Sequence, residues 1–273
     1  MGIDPLQYYL LCGFQKINWA VPTGVSDIGV GKFASAMLTK TVFHARICFT
    51  WRMNKNSMSE YVTIRKNEDP LIPAYASLNG FETPVWLQSE WTEGPYAEYV
   101  RRNGCGHCCA CMAARLYGVE IEPAMEFETC VELWGEPDKS HDWFQTARGI
   151  TEVLRAYGIS SSAFGVPEDE EGLSMTRYLI ECALSSGHPV IFKSHPYDVQ
   201  NPFSPGEHYV LAAGYDETGH VIVLNSGTRT TKEGFHRTDL DTLMKYVYRG
   251  TAASLTGWGT EENLPACGGI VIV

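Results

Sequence analysis

The chain has 273 residues, of which 44% are hydrophobic and 19% are charged, and its formal net charge at pH 7 is −11. A chain of this length can bury a sizeable core, which indicates one large domain or a domain with an appendage. The acidic balance, without a clustered stripe of Lys and Arg, excludes the phosphate contacts on which nucleic-acid binding depends.

The sequence carries no signal for a membrane span or for export. No apolar run approaches the ~18 residues that a membrane-spanning helix needs. The first residues have Asp4 where a signal peptide has its positive region, and no small-residue cleavage site follows. We therefore expect a cytoplasmic protein that does not bind membranes, released to a cell wall only if it is encoded by a phage. A disulfide framework is not expected in such a chain.

Residues 1–80 give the weakest signals. The stretch TKTVFHARICFTWRM, residues 39–53, is typical of a strand because it is rich in β-branched and aromatic residues. Polar residues and prolines then interrupt the pattern. We predict that residues 1–80 form an accessory segment or small domain and that residues 81–273 form the main domain.

Three helices are predicted next, each followed by a glycine that suits the left-handed position beyond a helix end. They lie in the stretches ACMAARLYG, TARGITEVLRAYG and GLSMTRYLIECALSSG, closed by Gly118, Gly158 and Gly187. The first should present one apolar stripe, formed by Cys109, Met112, Ala113 and Leu116.

The clearest strand signals follow these helices. HPVIFKS is typical of a buried strand, and HYVLAAGY and HVIVLN are joined by the turn residues DETG. Helices first and strands second predict an α+β fold, in which a helix lobe packs on an antiparallel sheet.

Residues 105–111 contain four cysteines and one histidine, which raises the possibility of a metal site. Structural zinc sites need a second pair of ligands at a short offset. Cys130, Cys182 and Cys267 are each isolated in the sequence, and we expect Cys111 to point away from Cys108 on the helix. We therefore predict no metal and no organic cofactor, and we expect the cysteines at 108, 109 and 111 to pack in the core.

Cys105 differs from its neighbours because it stands in the turn NGCG at the start of the helix. The positive end of the helix dipole and the unpaired N–H groups there favour a thiolate, and the same N–H groups can stabilise an oxyanion. Gly104 and Gly106 would leave room for a substrate backbone. On this stretch alone, a buried helix-start cysteine is an equally good interpretation.

A base and its orienting partner are predicted in the hairpin. A symmetric turn places Asn225 opposite Val210, which shares a strand face with His208, so that the side chains of Asn225 and His208 are diagonal neighbours ~7–8 Å apart at the backbone. Asp216 is excluded as the partner because it lies ~26 Å along the strand, and His220 is disfavoured for the same reason. Each residue alone is typical of a strand end or a turn. Together, Cys105, His208 and Asn225 match the nucleophile, base and orienter of a cysteine hydrolase.

The two stretches NGCGHCCACMAARLYG and GEHYVLAAGYDETGHVIVLNSG resemble the bacteriocin-leader-peptidase-like branch of the papain-like cysteine peptidases, whose members occur in bacteria and phages. The resemblance covers roughly residues 84–250 and implies a papain-like fold. It also implies that Gln88, in PVWLQSEWTEGPYAEYV, supplies an oxyanion-hole side chain. The chain departs from the family in having His107 where many relatives have proline, and this histidine either tunes the pKa of Cys105 or is exposed.

The leading functional prediction is a cysteine hydrolase that cleaves a peptide-type amide through an acyl-enzyme. One alternative is an endolysin-like amidase or endopeptidase that acts on peptidoglycan peptides with the same residues. An acyl transferase on the same fold is another. The third alternative is a binding protein that has kept the fold and lost the chemistry.

Overall fold

The computed structural model describes residues 61–92, 94, 96–136, 146–195, 197, 200–227, 230–249 and 269–273. Ser59–Val273 form one compact unit. The strand predicted at residues 39–53 lies outside the described residues.

A small antiparallel sheet precedes the helices. Its strands, in the order β1-β2-β3, are β1 (Thr63–Lys66), β2 (Ala74–Leu78) and β3 (Phe81–Val85). Asn79 and Gly80 form the turn between β2 and β3, and both have positive φ, 53° and 81°. Asparagine and glycine tolerate this conformation best, which is why they favour tight hairpins. The division predicted after residue 80 falls inside this hairpin.

Six antiparallel strands form the main sheet, in the order β4-β9-β5-β6-β7-β8. They are β4 (Ser162–Gly165), β5 (Val190–Ser194), β6 (His208–Tyr215), β7 (Val221–Leu224), β8 (Phe235–Thr238) and β9 (Gly269–Ile272). The three predicted strands β5, β6 and β7 are confirmed. The final strand, β9, lies between two strands that are distant from it in sequence.

Six α-helices occur in the described part of the chain. They are α1 (Ala97–Asn103), α2 (Cys105–Arg115), α3 (Pro123–Trp134), α4 (Ala147–Ala156), α5 (Glu170–Ser185) and α6 (Leu240–Tyr246). The three predicted helices correspond to α2, α4 and α5. Their closing glycines have φ of 77°, 77° and 75°, as a left-handed helix end requires.

Helix α2 is the centre of the unit. The prediction of one apolar stripe is wrong, because every residue from Gly106 to Ala114 is buried. The helix packs against β3, β6, α3 and α4 and is therefore enclosed on several sides. A run of Ala, Cys and Gly allows this, because small side chains let neighbouring elements approach from all directions. The predicted α+β arrangement of helices packed on antiparallel sheets is confirmed.

None of the helices in the described ranges is both long enough and apolar enough to span a membrane.

Candidate active site

Cys105 is the first residue of α2 and follows a tight junction with α1. Gly104 donates its N–H to the carbonyl of Val100 over 2.7 Å. A Cβ at position 104 would lie 2.3 Å from that carbonyl oxygen, a distance no side chain tolerates. Glycine at 104 is therefore required by the approach of α1 itself, whereas the sequence interpretation assigned it to room for a substrate.

Burial raises the pKa of the Cys105 thiol above its usual value. The backbone N–H of Tyr209, the charge of His107 and the N–H of Gly106 act in the opposite direction but do not overcome burial. The expected depression of the pKa at a helix start is thus not found, because the sulfur is enclosed even though the residue as a whole retains some exposure. The hydrogen bond from Tyr209 places the sulfur beside the start of β6, the strand whose first residue is His208.

The pairing of β6 with β7 sets the position of the next two residues. Leu211 pairs with Leu224, and continuing that register by one step places Asn225 opposite Val210, as predicted. The prediction assumed an unbroken hairpin, yet the register shifts between Ala212 and Gly214. The turn compensates because it is one residue longer than assumed, with the N–H of Asp216 bonded to the carbonyl of His220. The register shift and the longer turn therefore offset each other, and Asn225 has the predicted partner, Val210.

His208 and Asn225 are in direct contact. Nε2 of His208 lies 2.8 Å from Oδ1 of Asn225, and the two residues are 7% and 0% exposed. Oδ1 also accepts the backbone N–H of Gly227 over 2.8 Å.

The orientation of the Asn225 amide follows from its partners. The carbonyl of Phe203, 2.8 Å from Nδ2, can only accept, and the N–H of Gly227 can only donate. Oδ1 must therefore face His208, and Nε2 of His208 must carry the hydrogen that it donates. In a neutral imidazole the other ring nitrogen, Nδ1, then carries no hydrogen.

Asp216, which sequence spacing excluded as the orienter, shapes the turn instead. Its carboxylate accepts the backbone N–H groups of Thr218 and His220 and pairs with Arg237 at 2.7 Å.

Gln88 begins a short 3-10 helix, Gln88–Glu90, that lies against the end of the β7 segment. Its backbone N–H donates to the carbonyl of Ser226 over 2.9 Å, and the Ser226 hydroxyl donates to its Oε1 over 3.2 Å. Ser226 directly follows Asn225. The structure therefore joins Gln88 to the histidine–asparagine pair through one residue.

His107 is fully buried and hydrogen-bonded through Nδ1 to the carboxylate of Glu126 on α3. The expectation of an exposed side chain is wrong, and the alternative, an electrostatic effect on Cys105, agrees with the lowering influence of its charge. Cys130 donates its thiol to Glu126 over 3.5 Å. Cys130 is isolated from other cysteines in the sequence, but in the fold it lies close to His107 and Glu126.

The thiols of α2 behave as core groups. Burial first, and neighbouring charges second, raise the pKa values of Cys108, Cys109 and Cys111 well above the usual thiol value. Cys108 is among the groups that act on Cys111. The expectation that these two point apart is wrong, because residues three apart share one helix face.

One group in the described residues has donor types suited to a metal: His107, Glu126 and Cys130, whose ligand atoms lie within 4.8 Å of one another. Nitrogen and oxygen ligands of one zinc ion, each about 2.0 Å from it, lie about 3.3 Å apart in a tetrahedral site. The histidine nitrogen and the carboxylate are closer together than that, at hydrogen-bond contact. The geometry fits a buried acid–base pair with a thiol donor better than three ligands around an ion.

Two further residues near the site were missed from sequence. Nε2 of His236, on β8, lies 3.0 Å from Nδ2 of Asn225. Lys193, on β5, pairs with Tyr209 across the sheet, and its charge lowers the pKa of Cys105. Strand pairing brings both His236 and Lys193 to the site. Neither residue belongs to a local sequence motif that would have predicted this.

The model of the family described as the Peptidase_C39 like family matches residues 82–254. None of the curated proteins matches the chain. The matched range includes Cys105, His208, Asn225 and Gln88.

Proposed function

The chain belongs to the Peptidase_C39 like family, and on that premise we propose that it is a cysteine peptidase that cleaves a peptide amide through Cys105, His208 and Asn225. Cys105 is the nucleophile, His208 the general base and acid, and Asn225 the residue that orients the imidazole. The substrate is a peptide, free or part of peptidoglycan.

The observation that carries this proposal is that the contacts of Asn225 and of Cys105 fall on consecutive residues, His208 and Tyr209, at the start of β6. The Nε2–H of His208 is held by Asn225, and the thiol of Cys105 is bonded to the N–H of the adjacent Tyr209. A nucleophile, a base and an orienting acceptor are the three roles that acyl transfer by a cysteine requires.

The raised pKa of the Cys105 thiol determines how the reaction starts. Burial favours the neutral thiol, so Nδ1 of His208 must take its proton as the sulfur attacks the carbonyl carbon. The C–S bond forms and the carbonyl oxygen becomes an oxyanion. The charges of His107 and Lys193 both favour the negative sulfur during this step.

Collapse of the oxyanion completes the first half-reaction. The C–N bond breaks, and the imidazolium gives its proton to the leaving amine. Water, deprotonated by the same imidazole, then attacks the thioester and releases the carboxylic acid and the thiol.

The oxyanion is held by the Cys105 backbone N–H and the Gln88 side chain. The Cys105 N–H belongs to the first turn of α2, at the positive end of the helix dipole, which favours a negative charge. The Ser226 hydroxyl donates to Oε1 of Gln88, so Nε2 is the donor end of the amide. It faces the carbonyl of Arg101 at 3.5 Å, a long contact that it would exchange for the oxyanion. Such donors contribute about 10²–10³-fold to related reactions.

The test is hydrolysis of two substrate pools by the wild type and matched variants. The pools are a proteome-derived peptide library and purified muropeptides, with products identified by mass spectrometry. Cys105→Ala and His208→Ala should abolish cleavage, whereas Cys182→Ala, a change at a partly exposed cysteine on α5, should leave it unchanged. Cleavage by Cys105→Ala at the wild-type rate would refute the assignment. The pool that is cut distinguishes free peptides from cell-wall peptides.

A further inference from the structure

We propose that His236, in the neutral form protonated at Nδ1, is a positioning residue that holds the Asn225 amide in the orientation His208 needs. The inference rests on the proposed function of Cys105, His208 and Asn225. It extends that function by a fourth residue, whose hydrogen-bond contact is with Asn225.

The strand register brings His236 to this place. His236 on β8 pairs with Val223 on β7, two residues before Asn225. Its ring packs edge-on against Phe203, with ring centroids 5.5 Å apart and an interplanar angle of 90°. Phe203 is itself 1% exposed, so the ring is braced on one side by the core.

The contact with Asn225 determines which atom carries the proton. Nδ2 of Asn225 is a donor, because it faces the carbonyl of Phe203. Nε2 of His236, 3.0 Å from the same Nδ2, must therefore accept. A neutral imidazole with an accepting Nε2 carries its hydrogen on Nδ1, whereas an imidazolium has no lone pair to offer.

The surroundings of His236 keep it neutral. Burial, and secondarily the charge of His208, lower the pKa of His236 from 6.5 to about 4. Its other close neighbours in the contact, Phe203, Asn225 and the nearby Thr230, carry no charge. The acceptor is therefore present throughout the neutral range in which a peptidase of this type would work.

Asn225 needs this second acceptor because it is fully buried and its NH₂ group has two hydrogens. One goes to Phe203. The other hydrogen can be donated to Nε2 of His236, which is 3.0 Å from Nδ2, or to the Thr230 hydroxyl, which is 3.4 Å from it. Without His236 the better of these partners is lost, and a poorly satisfied buried amide has more freedom to turn. Any rotation of the amide weakens the acceptor that holds Nε2–H of His208.

Three substitutions separate positioning from simple packing. In His236→Gln the side-chain oxygen reaches the place of Nε2 and can accept from Asn225. In His236→Asn the same chemical group is one carbon shorter and cannot reach it, and in His236→Ala the acceptor is gone. We expect Gln to retain the wild-type kcat on the cleaved peptide pool, and Asn and Ala to lose about tenfold in kcat with little change in KM.

A spectroscopic measurement tests the geometry without any activity. In ¹⁵N-labelled Cys105→Ala protein, long-range ¹H–¹⁵N spectra report which ring nitrogen of His236 is protonated. We expect Nδ1–H at pH 7, and a side-chain amide resonance of Asn225 that shifts in His236→Ala but not in His236→Gln.

The outcomes are distinct from those of the proposed function. Equal kcat for the Ala, Asn and wild-type proteins, or an Nε2-protonated His236 at pH 7, would overturn the inference while the proposed function stands. A wild type that cleaves nothing would refute the proposed function. The tautomer of His236 and the amide resonance of Asn225 would then still show whether His236 determines the orientation of the Asn225 amide.

Discussion

Oδ1 of Asn225 accepts two hydrogen bonds, one from Nε2 of His208 and one from the backbone N–H of Gly227. Each donor nitrogen lies 2.8 Å from the oxygen. The two donors lock the oxygen in place from different directions. His208 is thereby fixed in one tautomer and one ring orientation, in which Nδ1 of the neutral ring carries no hydrogen. An asparagine in this role holds the imidazole without adding a negative charge to the site.

Removing the orienting oxygen should reduce the chemical step. We expect Asn225→Ala to lower kcat by at least about tenfold, because His208 is then free to change tautomer and orientation. Asn225→Asp keeps the oxygen facing His208 but replaces Nδ2 by a second oxygen, which meets the carbonyl of Phe203 at 2.8 Å. We therefore expect Asp to be no better than Ala in hydrolysis assays. A fully active Asp variant would show that the contacts of Nδ2 are dispensable.

Gly227 lies against His208 and Asn225, and a side chain at position 227 should disturb the hydrogen bond between them. A Cβ at position 227 would lie 3.0 Å from Nε2 of His208 and 3.2 Å from Oδ1 of Asn225. We expect Gly227→Ala to lower kcat and Gly227→Val to abolish turnover, because the added carbon separates the two groups. Gly219→Ala, in the hairpin turn where a Cβ meets nothing within 4 Å, is the control for a general effect of losing glycine. That control has a positive φ and should cost stability alone.

The buried pair of His107 and Glu126 should contribute separately to stability and to reactivity. His107→Leu leaves the carboxylate of Glu126 buried without its basic partner, which costs about 3–5 kcal/mol of unfolding free energy. The double variant His107→Leu with Glu126→Leu should recover much of that stability. Both variants lose the charge that lowers the pKa of Cys105, so both should react more slowly with iodoacetamide at neutral pH.

Denaturant unfolding and alkylation rates measure these two effects independently. If the double variant recovers stability and also alkylates at the wild-type rate, the electrostatic role of His107 is refuted.

The lowered pKa of His236 makes a prediction about acid stability. The folded state releases the proton at about pH 4 and the unfolded state at about 6.5, so between these values the unfolded chain binds more protons. Stability contributed by this group is fully present above about pH 6.5 and falls as the pH is lowered towards 4. Between pH 7 and pH 5 we expect a loss of about 2 kcal/mol from this residue. Urea unfolding of wild type and His236→Gln at both values measures it, and parallel pH dependence in the two proteins would contradict the prediction.

The sequence was informative about the hairpin because a strand has a period of two. His208 and Asn225 were placed as same-face diagonal neighbours, and their side chains do meet. The irregularity between Ala212 and Gly214 was not visible in the sequence, and only the longer turn kept the prediction right at the site. The predicted pairing of Asn225 with Val210 is thus correct although the hairpin is not regular, as the prediction assumed.

The electrostatics of the site could not be predicted in the same way. A helix start lowers a thiol pKa, but burial acts more strongly on Cys105, and burial depends on how β6 and α2 pack. The partnership of His107 with Glu126 requires α3 to lie against α2, and no sequence spacing encodes it. The role of His236 needs the pairing of β8, a short strand with little apolar alternation.

The central claim is that His208 activates the sulfur of Cys105, and the most direct measurement is site-resolved alkylation. Iodoacetamide labelling at neutral pH, quantified for each cysteine by peptide mass spectrometry, compares Cys105 with Cys182, which is also partly exposed. The account predicts that Cys105 reacts faster than Cys182 in the wild type and slows markedly in His208→Ala, while Cys182 is unaffected. A Cys105 rate that is no faster than that of Cys182, or that is unchanged in His208→Ala, would contradict it.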